Sequence, residues 1–340
     1  MARVLTCGFE VPNYPTPFDY YVNSSGQITW DSGAKRSGAY SFRMDGPTSG
    51  SAAQRYALIP GNPTEIYFQI AFRITGTKQY DINDVLRVRS DVTDQLLRVR
   101  AYNGGNVSVL VNGTTRITST AIVSTGWNLI EIHFKMDDAG IVELKMEGVY
   151  QGSWSGDTKP GADTGLTQFN ISPYILSRNV GYDDFCLNDV SGAADNSWIG
   201  GSRIIALRPD AAGDLTQWTP NTGANYAAVD EVTPDGDTTY VASSTLDQVD
   251  LYNLAAPGLP TGAVVKRVWV QAVAKKMDAG VDDKVSLGVK AGATTDWSAA
   301  QTLSTSYALV SGTDYIVNPD DSAAWEEADL NALQAGVKAA

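Results

Sequence analysis

Over the first 190 residues, apolar and polar side chains alternate with a period of two. In "WNLIEIHFKM", Ile130, Ile132, Phe134 and Met136 fall on one side, and Leu129, Glu131, His133 and Lys135 on the other. Successive side chains of a strand point to opposite faces, so this segment reads as an antiparallel strand covering a core on one side. "EIYFQIAFRIT", "NVSVLVNG" and "GIVELKMEGVY" share its β-branched and aromatic content and are bounded by Gly, Asn or Asp turns. No helix-length 3.6-residue period precedes residue 190. The second half predicts further strands in "SRIIALRP", "TTYVASS", "QVDLYNL", "AVVKRVWVQAVAKKM" and "KVSLGVKAG". Only the tail, "DSAAWEEADLNALQAGVKAA", predicts a helical turn or two, with Ser322 as its N-cap and Gly336 as its stop.

Between the halves lies a small-residue stretch, 191–202, with no hydrophobic period. The pattern therefore predicts an all-β chain of two antiparallel β-sandwiches. They occupy 1–190 and 203–340, joined by a linker at 191–202, with a short C-terminal helical turn.

Composition narrows the function. The chain has 340 residues, enough for two cores, and carries 25 Lys+Arg against 38 Asp+Glu, a net charge of −13. Such an acidic balance argues against general binding to nucleic acid, whose phosphates demand a basic face, and against an anionic membrane surface. The start, "MARVLTCGFEVPNYP", has no long apolar segment after its charge and does not read as a signal peptide. No run of apolar residues is long enough to span a bilayer. The expectation is folding in a reducing cytoplasm.

Several motifs suggest a relationship. "RSGAYSFRMD", "TGWNLIEIHFKMDDAGIVELKMEGV" and "VGYDDFCLND" resemble, in that order, the early strand, the central Trp-strand-turn-strand unit and the closing strand of concanavalin A-like or laminin-G-like jelly rolls. The closing strand of that family returns beside the first. The start "MARVLTCGFE", the junction "NSWIGGSRIIALRPDAAGDLTQWTP" and the ending "WEEADLNALQAGVK" together resemble structural proteins of tailed bacteriophages. This second resemblance implies a non-enzymatic virion protein, a capsid decoration or tail accessory protein. Its partners would be phage capsid or tail proteins and further copies of itself, with a glycan-binding host adhesin as the alternative.

The chemistry legible in the sequence is sparse. Glycoside hydrolysis needs two carboxylates flanking the scissile bond; the glycanases of the resembling fold set them on alternate positions of one strand, where this chain has only Glu131, followed by His133. His133 is the sole histidine and reads as a solvated sheet-face residue. No Gly-x-Ser-x-Gly elbow occurs. The expectation is thus no enzyme and no cofactor. Asp183 and Asp184 form a weak calcium candidate, because sandwiches of the resembling class often hold calcium at a rim; the competing reading is an aspartate that accepts backbone N–H bonds.

In "DVLRVRSDVTDQLLRVRAY", Arg87 and Arg89 alternate with apolar residues, as do Arg98 and Arg100 after a turn. If these strands pair, four guanidinium groups share one outward face. That is a candidate anion or partner-docking surface, unless Asp84, Asp91 and Asp94 simply balance it. Tyr150, Trp154 and Trp297 lie in loop-like stretches and are candidates for stacking on a sugar. The jelly-roll resemblance brings the first and last strands together and with them Cys7 and Cys186, expected as two buried thiols rather than a bridge.

Overall fold

The computed structural model describes residues 3–340 except 15–16, 19, 23–27, 46–53, 76–82, 94, 102–103, 172–178 and 281. The chain divides into two units, Met1–Ile205 and Ala206–Ala340.

The strands of the first unit begin with β1 (Arg3–Cys7), β2 (Tyr20–Val22), β3 (Ile28–Asp31), β4 (Ser41–Asp45) and β5 (Gln54–Leu58). Next come β6 (Glu65–Thr75), β7 (Asn83–Ser90), β8 (Leu97–Ala101), β9 (Asn106–Val111) and β10 (Thr114–Ile122). β11 (Asn128–Lys135), β12 (Gly140–Met146), β13 (Val149–Gly156), β14 (Leu166–Ile171) and β15 (Asn179–Asp189) complete it. They form two antiparallel sheets. One runs β13-β12-β11-β6-β15-β4-β3, with β1 also paired to β15; the other runs β10-β9-β8-β7-β14-β5-β2. The closing strand thus lies beside the first, with Thr6 opposite Cys186 and Cys7 opposite Phe185.

Period-2 side chains from both sheets meet in one core, including Phe42, Phe68, Phe134, Phe169, Tyr182 and Phe185. The Tyr182 hydroxyl donates to the Val85 carbonyl at 2.8 Å, so a tyrosine can be wholly buried there at no polar cost. The central strands depart from the predicted one-sided pattern. Glu131 and His133 are buried as fully as the apolar residues that alternate with them.

The cover is the stretch read as a linker. The division between units falls at 205/206, and residues 197–204 form a strap tied to the outer face of the eight-stranded sheet. Gln69 donates to the Ser202 carbonyl (2.8 Å) and accepts from the Ser202 N–H (3.0 Å), as a neighbouring strand would. Glu131 accepts from the Gly200 N–H at 2.8 Å, and Asp184 from the Ile204 N–H at 2.8 Å. Ile204 packs so closely on Gly8 that a Cβ there would lie 2.5 Å from it.

The second unit is also all-β. Its strands are β16 (Pro209–Thr216), β17 (Thr219–Pro220), β18 (Val241–Ala242), β19 (Val249–Leu254) and β20 (Val268–Ala274). They continue with β21 (Lys284–Ala291), β22 (Thr294–Trp297), β23 (Gln301–Thr302) and β24 (Ala308–Tyr315), then α1 (Glu327–Asn331) and β25 (Gln334–Ala339). The main sheet runs β16-β19-β25-β21-β22, with β23 on β21. The two-stranded β20–β24 sheet packs on it through Val270, Ala272 and Val310 against Val285, Leu287 and Val337.

The predicted short C-terminal helix is present as α1, but three details differ from the sequence reading. "SRIIALRP" forms no strand before Pro209. The tail helix starts at Glu326, whose side chain and that of Asp329 form a reciprocal capping box, not at Ser322. Gly336 does not stop it. It sits inside β25, between β19 and β21, where a Cβ would lie 2.6 Å from Leu251 and 2.7 Å from the Asp250 carbonyl. Glycine serves there as a site of close approach inside a sheet.

Candidate functional site

The seven-stranded sheet carries a row of polar side chains facing away from the core. On β14, Phe169 points into the core, which turns Gln168 and Asn170 outward. Register then fixes their neighbours. Asn170 lies opposite Tyr56 of β5 and Arg87 of β7, and Arg87 lies opposite Arg98 of β8. Gln168 lies opposite Arg89, and Arg100 opposite Asp84. The four sequence-predicted arginines therefore share one face, joined by Asn170, Gln168 and Tyr56. The alternation of β7 and β8 signalled the arginines; nothing local signalled the other three, which come from strands far apart in the chain.

Like charges directly opposite repel, and one carboxylate offsets three of the four. Asp84 accepts from Arg87 Nη2 (2.7 Å), Arg98 Nη2 (2.7 Å) and Arg100 Nε (2.8 Å). Burial opposes its ionisation, but the hydrogen bond from Arg100 and the charges of Arg87 and Arg98 outweigh that, holding the carboxyl below its ordinary value. The balance proposed for the other two aspartates does not hold in the same way. Asp91 turns to the Thr164 hydroxyl and N–H, which draw it down to about 2; Asp94 lies outside the described residues. Three polar atoms of this face, Arg98 Nε, Gln168 Oε1 and Asn170 Oδ1, are buried with no hydrogen-bond partner among the described residues. Asn170 itself is 4% exposed. A buried polar atom left so costs about 1–3 kcal/mol, which a ligand could recover.

His133 lies on the outer face of the other sheet and is not solvated. Its Nδ1 is 2.7 Å from Glu143 Oε2 and its Nε2 is 2.8 Å from Glu65 Oε1. The ring stacks on Tyr67 at 4.1 Å between centroids, and Trp198 of the strap meets both rings edge-on. Glu131 is committed to the strap.

Asp183 and Asp184 hold backbone. Asp183 accepts from the N–H groups of Arg36 (2.8 Å), Ser37 (3.3 Å) and Asp184 (2.8 Å). Asp184 pairs with Arg36 Nη1 at 2.5 Å and accepts from the Ser37 hydroxyl and the Ile204 N–H. No group of three or more His, Cys, Asp or Glu side chains able to hold a metal occurs among the described residues. Burial, then the charge of Asp184, push the Asp183 carboxyl up to about 8. The folded state thus holds this proton more tightly than the unfolded chain, whose value is about 3.9. Stability conferred by it is present below pH 4 and is lost as pH rises to about 8, by up to about 1.4 kcal/mol per pH unit. Thermal unfolding across that window should show the decline, and Asp183→Asn should flatten it. An unchanged slope in the variant would assign it elsewhere.

The remaining candidates are scattered. Cys7 and Cys186 are both buried on adjacent strands, but register puts them on opposite faces of the sheet, which precludes a bridge between them. Tyr150 is 51% exposed on β13; Trp154, opposite Val142, turns to the core side, with Arg116 4.1 Å above its ring. Trp297 belongs to the second unit and lies over Gly288 and Gly336. The three aromatics form no common platform.

No family model matches the chain, and no curated protein does. Among solved structures, it is similar to the endo-β-1,4-glucuronan lyase of the fungus Trichoderma reesei, with 16% identity, a TM-score of 0.44, and coverage of 57% of this chain and 97% of that one. It is similar to an alginate lyase from Chlorella virus (12%, TM-score 0.40, covering 55% and 99%). A third is a carbohydrate esterase of the Shiga toxin-encoding bacteriophage phi24B (10%, TM-score 0.36, covering 52% and 90%).

These neighbours are carbohydrate-active enzymes, and they correct the expectation of a non-enzymatic virion structural protein. That expectation rested on the missing carboxylate pair, a requirement of glycoside hydrolysis. Other ways of acting on a polysaccharide do not share it, so its absence does not exclude an enzyme.

Proposed function

We propose that the first unit is a carbohydrate-active domain that binds an acidic polysaccharide on the outward face of its seven-stranded sheet. The observation that carries this reading is the arginine face itself: four guanidinium groups on one face, three of them gathered on the single carboxylate of Asp84, beside buried amide oxygens with no donor among the described residues. Guanidinium suits planar carboxylates, and the amide oxygens of Asn170 and Gln168 suit hydroxyl donors. A ligand offering both anions and hydroxyls is a glycan bearing carboxylates. A nucleic acid would supply phosphates but few hydroxyls, and it would meet a protein of net charge −13.

A setting on a tailed-phage particle, where such a face would meet glycan of the host surface, is part of the same proposal. It rests on the sequence resemblance alone.

Calorimetric titration of the full chain with polygalacturonate, dextran and single-stranded DNA tests the reading. Polygalacturonate should bind, more weakly as salt rises. The double variant Arg98→Ala/Arg100→Ala should lose about tenfold or more in affinity, the worth of one charge-assisted hydrogen bond. Equal binding of dextran, or a preference for DNA, would overturn it. Ultraviolet absorbance in the same mixtures reports whether an unsaturated product is formed.

A further inference from the structure

We infer that the glycan lies across the strands rather than along them, spanning at least four consecutive sugar units, with carboxylates required only over β7 and β8. The inference rests on the acidic-polysaccharide reading above and concerns how the same face is used.

Register aligns Tyr56, Asn170, Arg87 and Arg98 in one straight row over β5, β14, β7 and β8. Neighbouring strands are about 4.8 Å apart, close to the rise of one unit in an extended polysaccharide. Successive sugars laid along this row therefore meet successive strands. Charge is uneven along it: arginines stand on β7 and β8, whereas β14 and β5 offer Asn170, Gln168, Tyr56 and the exposed Leu58. That end recognises hydroxyls and a sugar's apolar face without needing an anion.

A path along the strands fits poorly. Outward positions on one strand recur about every 6.8 Å, out of step with the sugar rise. The exposed carboxylate of Asp91 follows Ser90 at one end of such a path, so an anionic chain would be repelled there.

Titration of the full chain with digalacturonate and tetragalacturonate tests the orientation. The tetramer should bind about tenfold more tightly, the gain of an added pair of hydrogen bonds. Tyr56→Phe should remove most of that gain and leave dimer affinity unchanged, Asn170→Ala should weaken the tetramer more than the dimer, and Arg98→Ala should weaken dimer and tetramer alike. Tyr56→Phe removes one hydroxyl only, so it still reports if Asn170→Ala fails to fold. Absence of any gain with length, or a loss of dimer affinity in Tyr56→Phe, would overturn the inference. If neither dimer nor tetramer nor polymer binds, the failure lies with the acidic-polysaccharide reading instead.

Discussion

A chain ending at residue 190 is expected not to fold, whereas one ending at residue 205 should unfold cooperatively like the first unit of the full protein. The difference is the strap. Residues 191–205 supply Ile199 and Ile204, both buried, at about 1.5–3 kcal/mol each. They also supply the backbone groups that pair with Gln69, Glu131, Asp184 and Asn188, each bond worth about 1 kcal/mol net. That total is comparable with the roughly 5–15 kcal/mol by which a whole domain is stable. Circular dichroism and thermal unfolding of the two lengths decide it. A chain of 190 residues that melts cooperatively near the temperature of the longer one would show that the strap is decoration.

The second large effect concerns Asp84. Asp84→Asn keeps the shape of the side chain and removes its charge, leaving Arg87 and Arg98 opposite one another with no carboxylate between them. Asp84 is 3% exposed, and breaking a buried ion pair on one side costs about 3–5 kcal/mol. A fall of roughly 10 °C in Tm should follow. Because its carboxyl is held below the ordinary value, the stability it confers is present above about pH 3.9 and lost as pH falls further. The gap between wild type and variant should therefore close in acid. Added polygalacturonate should restore part of the lost Tm at neutral pH, since a polyanion that binds the folded state takes the place of the missing charge. A variant as stable as the wild type would mean that the arginines are satisfied without Asp84. A destabilised variant that polygalacturonate does not help would separate the structural role of Asp84 from the binding role of the face.

Period-2 alternation was sufficient to read the fold class and the two faces of each central strand. It placed Ile130, Ile132 and Phe134 on one side of β11 and Glu131 and His133 on the other, and the arginines of β7 and β8 on one face. These are local facts, set by the geometry of a single strand. The fate of each face was not local. Whether Glu131 and His133 meet water depended on a strap about 65 residues further along the chain, where Trp198, Ile199 and Ile204 stand among small residues with no strand period. Its polar ties run through main-chain groups, which carry no residue signal. The short tail helix was legible, but its stop at Gly336 was not, which shows the same limit from the other side: the need for glycine came from Leu251 and the Asp250 carbonyl on a neighbouring strand.

Alternation, a property of every extended chain, sets which residues can share a face. Packing and strand order settled which faces were covered, which strands lined up to set Tyr56 and Asn170 beside the arginines, and that one carboxylate serves three of them. Those outcomes depend on strand order and register, fixed by burying both sheets in one core, and no stretch of the chain encodes them alone.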